Sequence, residues 1–303
     1  MYLTHFGLRE APFGITPDTS YFFACADYQE ALNTLLIAVR NGEGFIKITG
    51  EVGTGKTLLC RQFLATLNKP QGGVPARFVT AYLPTPFLSP RNLLMALADE
   101  LDIMLAKHTD QHQLLKALTA ALMQFARDGK QVVLCLDEAQ AMPLESLETI
   151  RLLTNLETEK HKLLQIVLFG QPELNHKLQQ NAIRQLTQRI TFDYHLRPLR
   201  RGDMEFYLSH RLRVAGYTGP RLFSFWATRQ LHSASGGIPR LVNILANKAL
   251  MLCYGEGRQR VSLRHVRAAQ RDTAAANPQR WQWLALGAGL VAGALILAKV
   301  VLR

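Results

Sequence analysis

The sequence contains little cysteine, and its cysteines are poorly placed for metal binding or cross-linking. They form no C-x-x-C pair and lie far apart along the chain, which argues against a zinc site and against a disulfide framework. We therefore expect buried, reduced thiols and a cytosolic environment. The N-terminus has no basic region followed by an apolar run, so we expect no cleavable signal peptide. The cysteines are Cys25, Cys60, Cys135 and Cys253.

Acidic residues are scarce as well. Asp and Glu number 23 against 35 Lys and Arg, which gives a net charge of +12 and a pI near 9.8. This excess of positive charge leaves three classes of partner open: nucleic acid, anionic lipid and an acidic protein. Of the 303 residues, 48% are hydrophobic and only 19% are charged, so the chain can bury a core. We expect two structural modules and a tail.

Residues 50–57, GEVGTGKT, fit the nucleotide-binding loop pattern G-x-x-x-x-G-K-[ST]. An apolar strand at 45–49 precedes them and apolar residues at helical spacing follow at 58–67, which favours a P-loop over a glycine-rich surface turn. We predict that Lys56 bridges the β- and γ-phosphates of ATP and that the Thr57 hydroxyl completes the shell of Mg²⁺. The loop residues predicted to bind ATP are Gly50, Glu51, Val52, Gly53, Thr54, Gly55, Lys56, Thr57 and Leu58.

A second motif, at residues 131–138, consists of an apolar run that ends in two acids. The run is typical of a strand covered on both faces in a parallel sheet. We predict that Asp137 binds the nucleotide through Mg²⁺, usually by way of water, and that Glu138 polarises the attacking water. The alternative is an acidic pair at a helix N-terminus, since residues 139–141 continue in a helical pattern.

Strand and helix signals alternate through the first two thirds of the chain. This alternation predicts an α/β fold, a P-loop NTPase whose parallel sheet is sandwiched by helices and binds ligands at the carboxyl ends of its strands. Further strands are predicted at 76–83, 163–170 and 190–196, and helices at 28–40, 90–105, 110–128, 144–157 and 184–189.

After Pro198 the strand signal stops, and residues 199–276 predict a small all-α lid with helices at about 202–215, 222–235, 238–254 and 262–275. Residues 1–27 are rich in turn formers and aromatics, and we predict that they form a strap near the adenine site. The α/β domain is predicted to occupy 28–198.

The C-terminal tail contains an uncharged stretch at 284–298. From Trp283 to Leu302 the chain would span about 30 Å as a helix, which matches the hydrocarbon core of a bilayer. We predict a juxtamembrane linker at 277–283 and a transmembrane helix at 284–302, a buried soluble helix being the alternative. The positive-inside tendency of the arginines ahead of the stretch would keep the ATPase in the cytoplasm. These arginines are Arg258, Arg260, Arg264, Arg267, Arg271 and Arg280.

The motifs GEVGTGKT, LCLDEAQ, FGQPEL, QLTQRI and GGIPRLVN, together with the N-terminal aromatic segment, carry a resemblance. The chain resembles the general secretion pathway protein A (ExeA-type) AAA+ ATPases, and within that group the members for MSHA pilus biogenesis. The resemblance implies ATP and Mg²⁺ as cofactors and a homo-oligomer. It also implies single-pass anchoring in a bacterial inner membrane and protein partners from a type IV pilus or type II secretion machinery. Because the sequence stops at Arg303, without the periplasmic domain of the secretion members, we expect the pilus type.

The resemblance also assigns residues. Gln171 would be the polar sensor at a strand end, Arg189 an arginine finger that acts in trans, and Arg240 the nucleotide sensor of the lid. Each has a simpler alternative: a turn residue for Gln171, a surface salt bridge for Arg189 and a lid-packing arginine for Arg240.

Three functions compete on the sequence alone. The leading hypothesis is a membrane-anchored ATPase that supports assembly of the cell envelope. The alternative is an ATP-dependent DNA-binding AAA+ protein of the transposition-helper type, motivated by the net charge of +12. We do not expect nucleic acid as a partner, because arginines next to a membrane span attract anionic lipid. The third function, a protein that holds nucleotide as a structural signal with little hydrolysis, is disfavoured. Such a protein does not need an acid such as Glu138 to polarise the attacking water.

Overall fold

The computed structural model describes residues 2–70, 77–105, 110–157, 162–180 and 183–276. The described residues form two compact units, one of them Pro17–Arg197 and the other made of residues 2–16 together with 198–276. The predicted linker at 277–283 and transmembrane helix at 284–302 lie outside the described residues. Within the described ranges, none of the helices combines the length and apolar character that a membrane crossing requires.

The unit Pro17–Arg197 is built on a sheet of five parallel strands in the order β2-β3-β4-β1-β5. Strands β1 and β4 are buried along their whole length, as expected for a parallel sheet with helices on both faces. The strands are β1 (Phe45–Gly50), β2 (Phe78–Leu83), β3 (Gln131–Leu136), β4 (Leu164–Gly170) and β5 (Phe192–Leu196).

Side chains of the strands alternate between two cores. On one face, residues of β3 such as Leu134 and Leu136 join a cluster with leucines of α4, α5 and α6. On the other face, Cys135 lies beside Cys60 of α3, and both side chains are fully buried. The helices of this unit are α2 (Ala26–Arg40), α3 (Lys56–Leu67), α4 (Pro90–Glu100), α5 (Gln111–Arg127), α6 (Leu144–Leu153), α7 (Glu173–Leu178) and α8 (Arg184–Thr187).

Several element ends differ from the prediction. The helix predicted at 90–105 ends at Glu100, because Asp102 takes a left-handed backbone (φ 54°) and the N–H of Ile103 bonds the carbonyl of Ala98 at 2.9 Å. Helix α6 ends at Leu153 rather than at 157, and β3 ends at Leu136, before the two acids. The short helix α7 was not predicted.

The second unit is helical in its described residues, apart from one bridge between Phe223 and Val261. The helix predicted at 262–275 ends at Arg271, and a short 3₁₀ turn follows at Ala274–Ala276. The helices are α1 (Tyr2–Phe6), α9 (Met204–Val214), α10 (Phe225–Ser235), α11 (Pro239–Gly255) and α12 (Leu263–Arg271).

The N-terminal segment is divided between the two units. Residues up to Thr16 belong to the helical unit, where buried Arg211 donates from Nε to the carbonyl of Pro12 at 2.6 Å and from Nη2 to that of Gly14 at 3.2 Å. The chain from Pro17 belongs to the α/β unit, where Arg61 donates to the carbonyl of Pro17 at 2.8 Å. The predicted strap at 1–27 therefore spans the boundary between the units, and its place over the adenine base stays a prediction.

Candidate nucleotide-binding site

The loop between β1 and α3 has a backbone that requires glycine at several points, of which Gly50 and Gly55 are the clearest. A Cβ at Gly50 would lie 2.8 Å from the carbonyl oxygen of Leu196 and 2.9 Å from Oγ1 of Thr54. Gly55 has a left-handed backbone with φ 94°, which L side chains rarely adopt. Helix α3 begins at the next residue, Lys56, so its N-terminal N–H groups and the positive end of its dipole belong to this loop. The loop thus fits a phosphate group on geometry as well as on sequence.

Tyr28 holds the loop from the side. Its hydroxyl donates to the carbonyl of Thr54, and a Cβ at Gly55 would lie 3.2 Å from its hydroxyl oxygen. The ring of Phe22 stands edge-on to Tyr28 with 6.2 Å between the ring centroids. The sequence had marked Tyr28 only as the start of a helix, although the aromatic run Tyr21–Phe23 close before it was a signal of an aromatic cluster. Tyr28, with Phe22 packed against its ring, therefore lies against the P-loop.

Lys56 is buried at the centre of the loop, with 5% of its surface exposed. Its Nζ donates to the carbonyls of Gly50 at 2.8 Å and Glu51 at 2.9 Å. Burial lowers the pKa of Lys56, and the nearby carboxylates, Glu138 foremost, act in the opposite direction. The ammonium group is thus held inside the loop and balanced by acids beyond the end of β3.

Asp137 follows β3 and is 2% exposed. Its Oδ2 accepts hydrogen bonds from Thr57 Oγ1 at 2.6 Å and from the Tyr82 hydroxyl at 3.4 Å, and its Oδ1 accepts from the N–H of Glu138 at 3.0 Å. Burial raises the pKa of Asp137, while the hydrogen bond from Thr57 opposes that rise. Burial and the charge of Asp137 raise the pKa of Tyr82 to about 12, so this phenol stays a donor at neutral pH.

This pair of oxygen side chains fits Mg²⁺. The cation prefers oxygen ligands, is bound by one or two carboxylates and keeps several waters beside the phosphates of its nucleotide. The hydroxyl of Thr57 and the carboxylate of Asp137 supply such a set within 2.6 Å of each other. Across the described ranges the chain forms no cluster of three or more His, Cys, Asp and Glu side chains that could hold a metal without a nucleotide.

Glu138 has a left-handed backbone, with φ 53°. Its Oε2 accepts one hydrogen bond from Gln140 Nε2 at 2.5 Å and another from Gln171 Nε2 at 3.1 Å. The two amides are also joined to each other, since the N–H of Gln171 donates to Oε1 of Gln140 at 3.0 Å. The carboxylate of Glu138 is therefore fixed by two side-chain amides from two different segments.

The sheet order explains why these segments meet. Strands β3 and β4 are neighbours and parallel, with Leu136 opposite Leu168, so the residues that follow them lie at the same edge. Lys177 of α7 ties the segments further, because its Nζ donates to the carbonyl of Gln140 at 2.6 Å and to that of Met142 at 2.7 Å. The sequence had singled out neither Gln140 nor Lys177.

The two predicted arginines lie elsewhere. Arg189 is half-buried, and its Nη1 donates to Oγ1 of Thr154, the residue that follows α6, at 2.5 Å. In the described part of the chain, none of its hydrogen bonds reaches the P-loop. Arg240 is exposed on the first turn of α11, in the helical unit. Their roles toward the nucleotide stay predictions.

Comparison with known families supports the nucleotide site. Residues 39–178 match the AAA domain family. The chain therefore contains an AAA domain. The matched range of this AAA protein runs from α2 to α7 and includes the P-loop, both acids and Gln171.

General secretion pathway protein A of Aeromonas hydrophila is 42% identical to this AAA protein over 261 residues, which are 86% of the present chain and 46% of the relative. The resemblance predicted from the motifs is thereby confirmed at the level of the family. The chain spans about half the length of this relative.

Solved structures confirm the fold. CDC6P from Pyrobaculum aerophilum aligns with a TM-score of 0.65 at 16% identity, over 85% of this chain and 71% of its own. The ORC2 protein of Aeropyrum pernix aligns with a TM-score of 0.58 at 18% identity, over 81% of this chain and 66% of its own. The Walker-type ATPase PABY2304 of Pyrococcus abyssi gives 0.55 at 15% identity, over 95% and 79%. At such identities the likeness shows the AAA-type α/β fold alone.

Proposed function

We propose that this AAA protein is a membrane-anchored ATPase that binds and hydrolyses ATP with Mg²⁺ in support of a cell-envelope assembly. The assembly would be a type IV pilus of the MSHA kind or a type II secretion machinery. The observation that carries the ATPase proposal is the meeting of Lys56, Thr57, Asp137 and Glu138 at one edge of the sheet, with Thr57 and Asp137 in direct contact at 2.6 Å.

Different residues would bind the phosphates and the Mg²⁺ ion. The backbone N–H groups of Gly53 to Thr57 and the ammonium of Lys56 would hold the phosphates, and Thr57 with Asp137 would hold Mg²⁺. Bound Mg²⁺ would neutralise charge on the phosphates. The exposed tip of the loop, formed by Glu51 and Val52, and the half-buried Leu58 flank this cradle.

Glu138 is placed to orient water. Within the described residues both amide hydrogen bonds go to its Oε2, so Oε1 is left to accept a hydrogen bond from a water molecule. A carboxylate held in this way can position a nucleophile and take up its proton. Gln171, which contacts Glu138 directly, would couple that carboxylate to the end of β4.

The assembly role has separate support. The relative with 42% identity carries the name general secretion pathway protein A, and the uncharged stretch at 284–298 favours an anchor. The partners would be further copies of the chain and protein components of the machinery, with the ATPase on the cytoplasmic side of a bacterial inner membrane. The alternative, a DNA-binding ATPase, is supported by the net charge of +12.

Replacing Lys56 with Ala is expected to weaken ATP binding by roughly 10- to 100-fold, because a charge-assisted hydrogen bond contributes about 1.5–3 kcal/mol. Equilibrium titration with a fluorescent ATP analogue measures this loss, and phosphate release measures the loss of turnover. Lys69→Ala is the matched control, since that lysine is exposed just beyond the end of α3.

Because Lys56 also bonds two loop carbonyls, circular dichroism must show that the variant is folded. A folded Lys56→Ala protein that binds and hydrolyses ATP like the Lys69→Ala protein would show that the P-loop assignment is wrong.

The anchor predicts a topology. A tag placed after Arg303 is expected in the periplasm and a tag before Met1 in the cytoplasm, because arginine-rich flanks are retained on the cytoplasmic side. Protease treatment of intact spheroplasts should remove the first tag and spare the second. Release of the full chain by high salt without detergent would contradict the anchor.

A further inference from the structure

Helix α12, the last helix before the tail, has an exposed basic face. Arg264, Arg267 and Arg271 are exposed and spaced three and four residues apart, so they share one face, and this set is here termed the arginine stripe. The opposite face packs His265, Val266 and Ala269 into the unit. The arginine stripe therefore lies on the exposed face of a helix whose other face is packed in the core of the unit.

Nearby acids offset little of the charge of the stripe: the hydrogen bond from His265 is the first cause of the lowered pKa of Glu256, and Arg264 contributes less to it than His265 and Arg258 do. Asp272 pairs with Lys248 at 2.7 Å, and Glu256 pairs with Arg258 at 3.0 Å and lies 3.1 Å from His265. In the ranges that the structure describes, no ion pair involves a member of the arginine stripe. Its charge is thus available to a partner.

A pair of exposed aromatic side chains lies at the start of α10. Phe225 is 48% exposed and Trp226 62% exposed, and their rings stand edge-on with 5.3 Å between centroids. The guanidinium of Arg229 lies over both rings, 5.3 Å and 5.5 Å from their centroids. Tryptophan is enriched at membrane–water interfaces, where its amphipathic ring lies at the level of the lipid headgroups.

The backbone brings the two features to the same end of the unit. Phe223 and Val261 form a parallel bridge, and the N–H of Ser224 donates to the carbonyl of Val261 at 2.9 Å. Helices α10 and α12 each begin two residues beyond this bridge, and farther along Gln230 donates to Gln270 at 2.7 Å. The helices therefore run side by side in the same direction, and the aromatic pair and the first arginine of the stripe lie at their common start.

The sequence indicates what covers this surface. Beyond Ala276, only residues 277–283 separate the helical unit from the predicted span, and a linker of that length reaches at most about 25 Å when fully extended. A surface held that close to a bilayer needs little intrinsic affinity to dock, because tethering raises its effective concentration.

We propose that the arginine stripe and the aromatic pair dock the helical unit onto an anionic phospholipid bilayer. The guanidinium groups would bind lipid phosphates and the rings would enter the interface. A nucleic acid duplex would satisfy the arginines but would leave the aromatic pair in water, which favours lipid. The proposal rests on the membrane-anchored function above.

Trp226 is a built-in reporter, since the other two of the three tryptophans are Trp281 and Trp283. The full chain with Trp281→Phe and Trp283→Phe is reconstituted into vesicles with brominated acyl chains, which quench nearby indole. The vesicles contain phosphatidylcholine alone or an equal mixture with phosphatidylglycerol. We expect quenching of Trp226 in the mixed vesicles and its loss in phosphatidylcholine.

Charge reversal tests the stripe. Arg264→Glu, Arg267→Glu and Arg271→Glu together are expected to weaken docking by at least on the order of 10²-fold, because each basic residue near an anionic surface contributes about fivefold and each Glu adds repulsion. The matched triple substitution by Lys retains the charge and should retain the quenching.

Equal quenching in both vesicle types, no quenching in either, or quenching that survives the charge reversal would each overturn the docking surface. Binding of a duplex oligonucleotide that is lost on charge reversal, with lipid quenching unchanged, would reassign the stripe to nucleic acid.

Flotation of the vesicles separates the docking proposal from the anchor proposal: a chain that floats with both vesicle types has its anchor, whatever the quenching of Trp226. A chain that floats with neither would overturn the anchor itself.

Discussion

Replacing Glu138 with Gln is expected to lower ATP turnover by roughly 10²-fold or more while ATP still binds, the scale of losing a general base. The contacts at the site give the reason. The new carbonyl oxygen would accept the hydrogen bonds from Gln140 and Gln171 that Oε2 accepts now. The new amide nitrogen would then take the place of Oε1, where it can only donate and so cannot accept a proton from water.

Single-turnover hydrolysis and equilibrium ATP binding, measured on the same preparation, separate the two effects. Gln140→Ala is the companion variant, because it removes one of the two amides that position the carboxylate and leaves the carboxylate itself. It should lower kcat less than Glu138→Gln does and leave ATP affinity unchanged. Wild-type turnover in the Glu138→Gln protein would show that Glu138 is not the residue that polarises water.

Replacing Arg189 with Ala is expected to lower hydrolysis by on the order of 10³-fold with near-normal ATP binding, if its guanidinium neutralises charge at the γ-phosphate of a neighbouring subunit. The structure supplies a competing explanation, since Arg189 bonds Thr154 at 2.5 Å within its own subunit. Thr154→Val removes that partner and keeps the volume of the side chain. Full activity of Thr154→Val beside an inactive Arg189→Ala protein would exclude a purely local role.

Mixing tests action in trans. The Arg189→Ala and Lys56→Ala proteins are each expected to be inactive. Where one subunit of each kind meets the other, however, the intact P-loop of the Arg189→Ala subunit can face the intact arginine of the Lys56→Ala subunit. Recovered hydrolysis in the mixture supports the finger. No recovery, once subunit exchange has been shown by fluorescence transfer between labelled copies, would contradict it.

The parts of the site that depend on local pattern could be predicted from the sequence. The P-loop, its preceding strand and its following helix are contiguous, and the two acids directly follow an apolar run, so their neighbours along the chain are enough to identify them. Gln171 meets Glu138 because β4, which precedes Gln171, pairs with β3, which precedes the two acids. The order of the strands is a matter of topology, which the sequence alone does not determine.

The remaining parts depend on contacts between distant segments. Lys177 reaches the carbonyls of Gln140 and Met142 from α7, a helix of 6 residues that is too short to show a period. Lys47 lies in the buried strand β1, and its ammonium group is paired with Asp193 at 2.9 Å and with Asn175 at 2.6 Å. Such partners become visible only once the order of the strands is known.

The left-handed backbone of Glu138 affects the thermodynamic stability of the whole fold. A non-glycine residue held at φ 53° costs about 1–3 kcal/mol, and glycine would relieve that strain without altering the path of the chain. The free energy of unfolding of native proteins is only about 5–15 kcal/mol, so the strain at this one position is an appreciable fraction of it. The native state is thus less stable than it would be with glycine at this position. The lost stability is the cost of placing the carboxylate of Glu138 at the site.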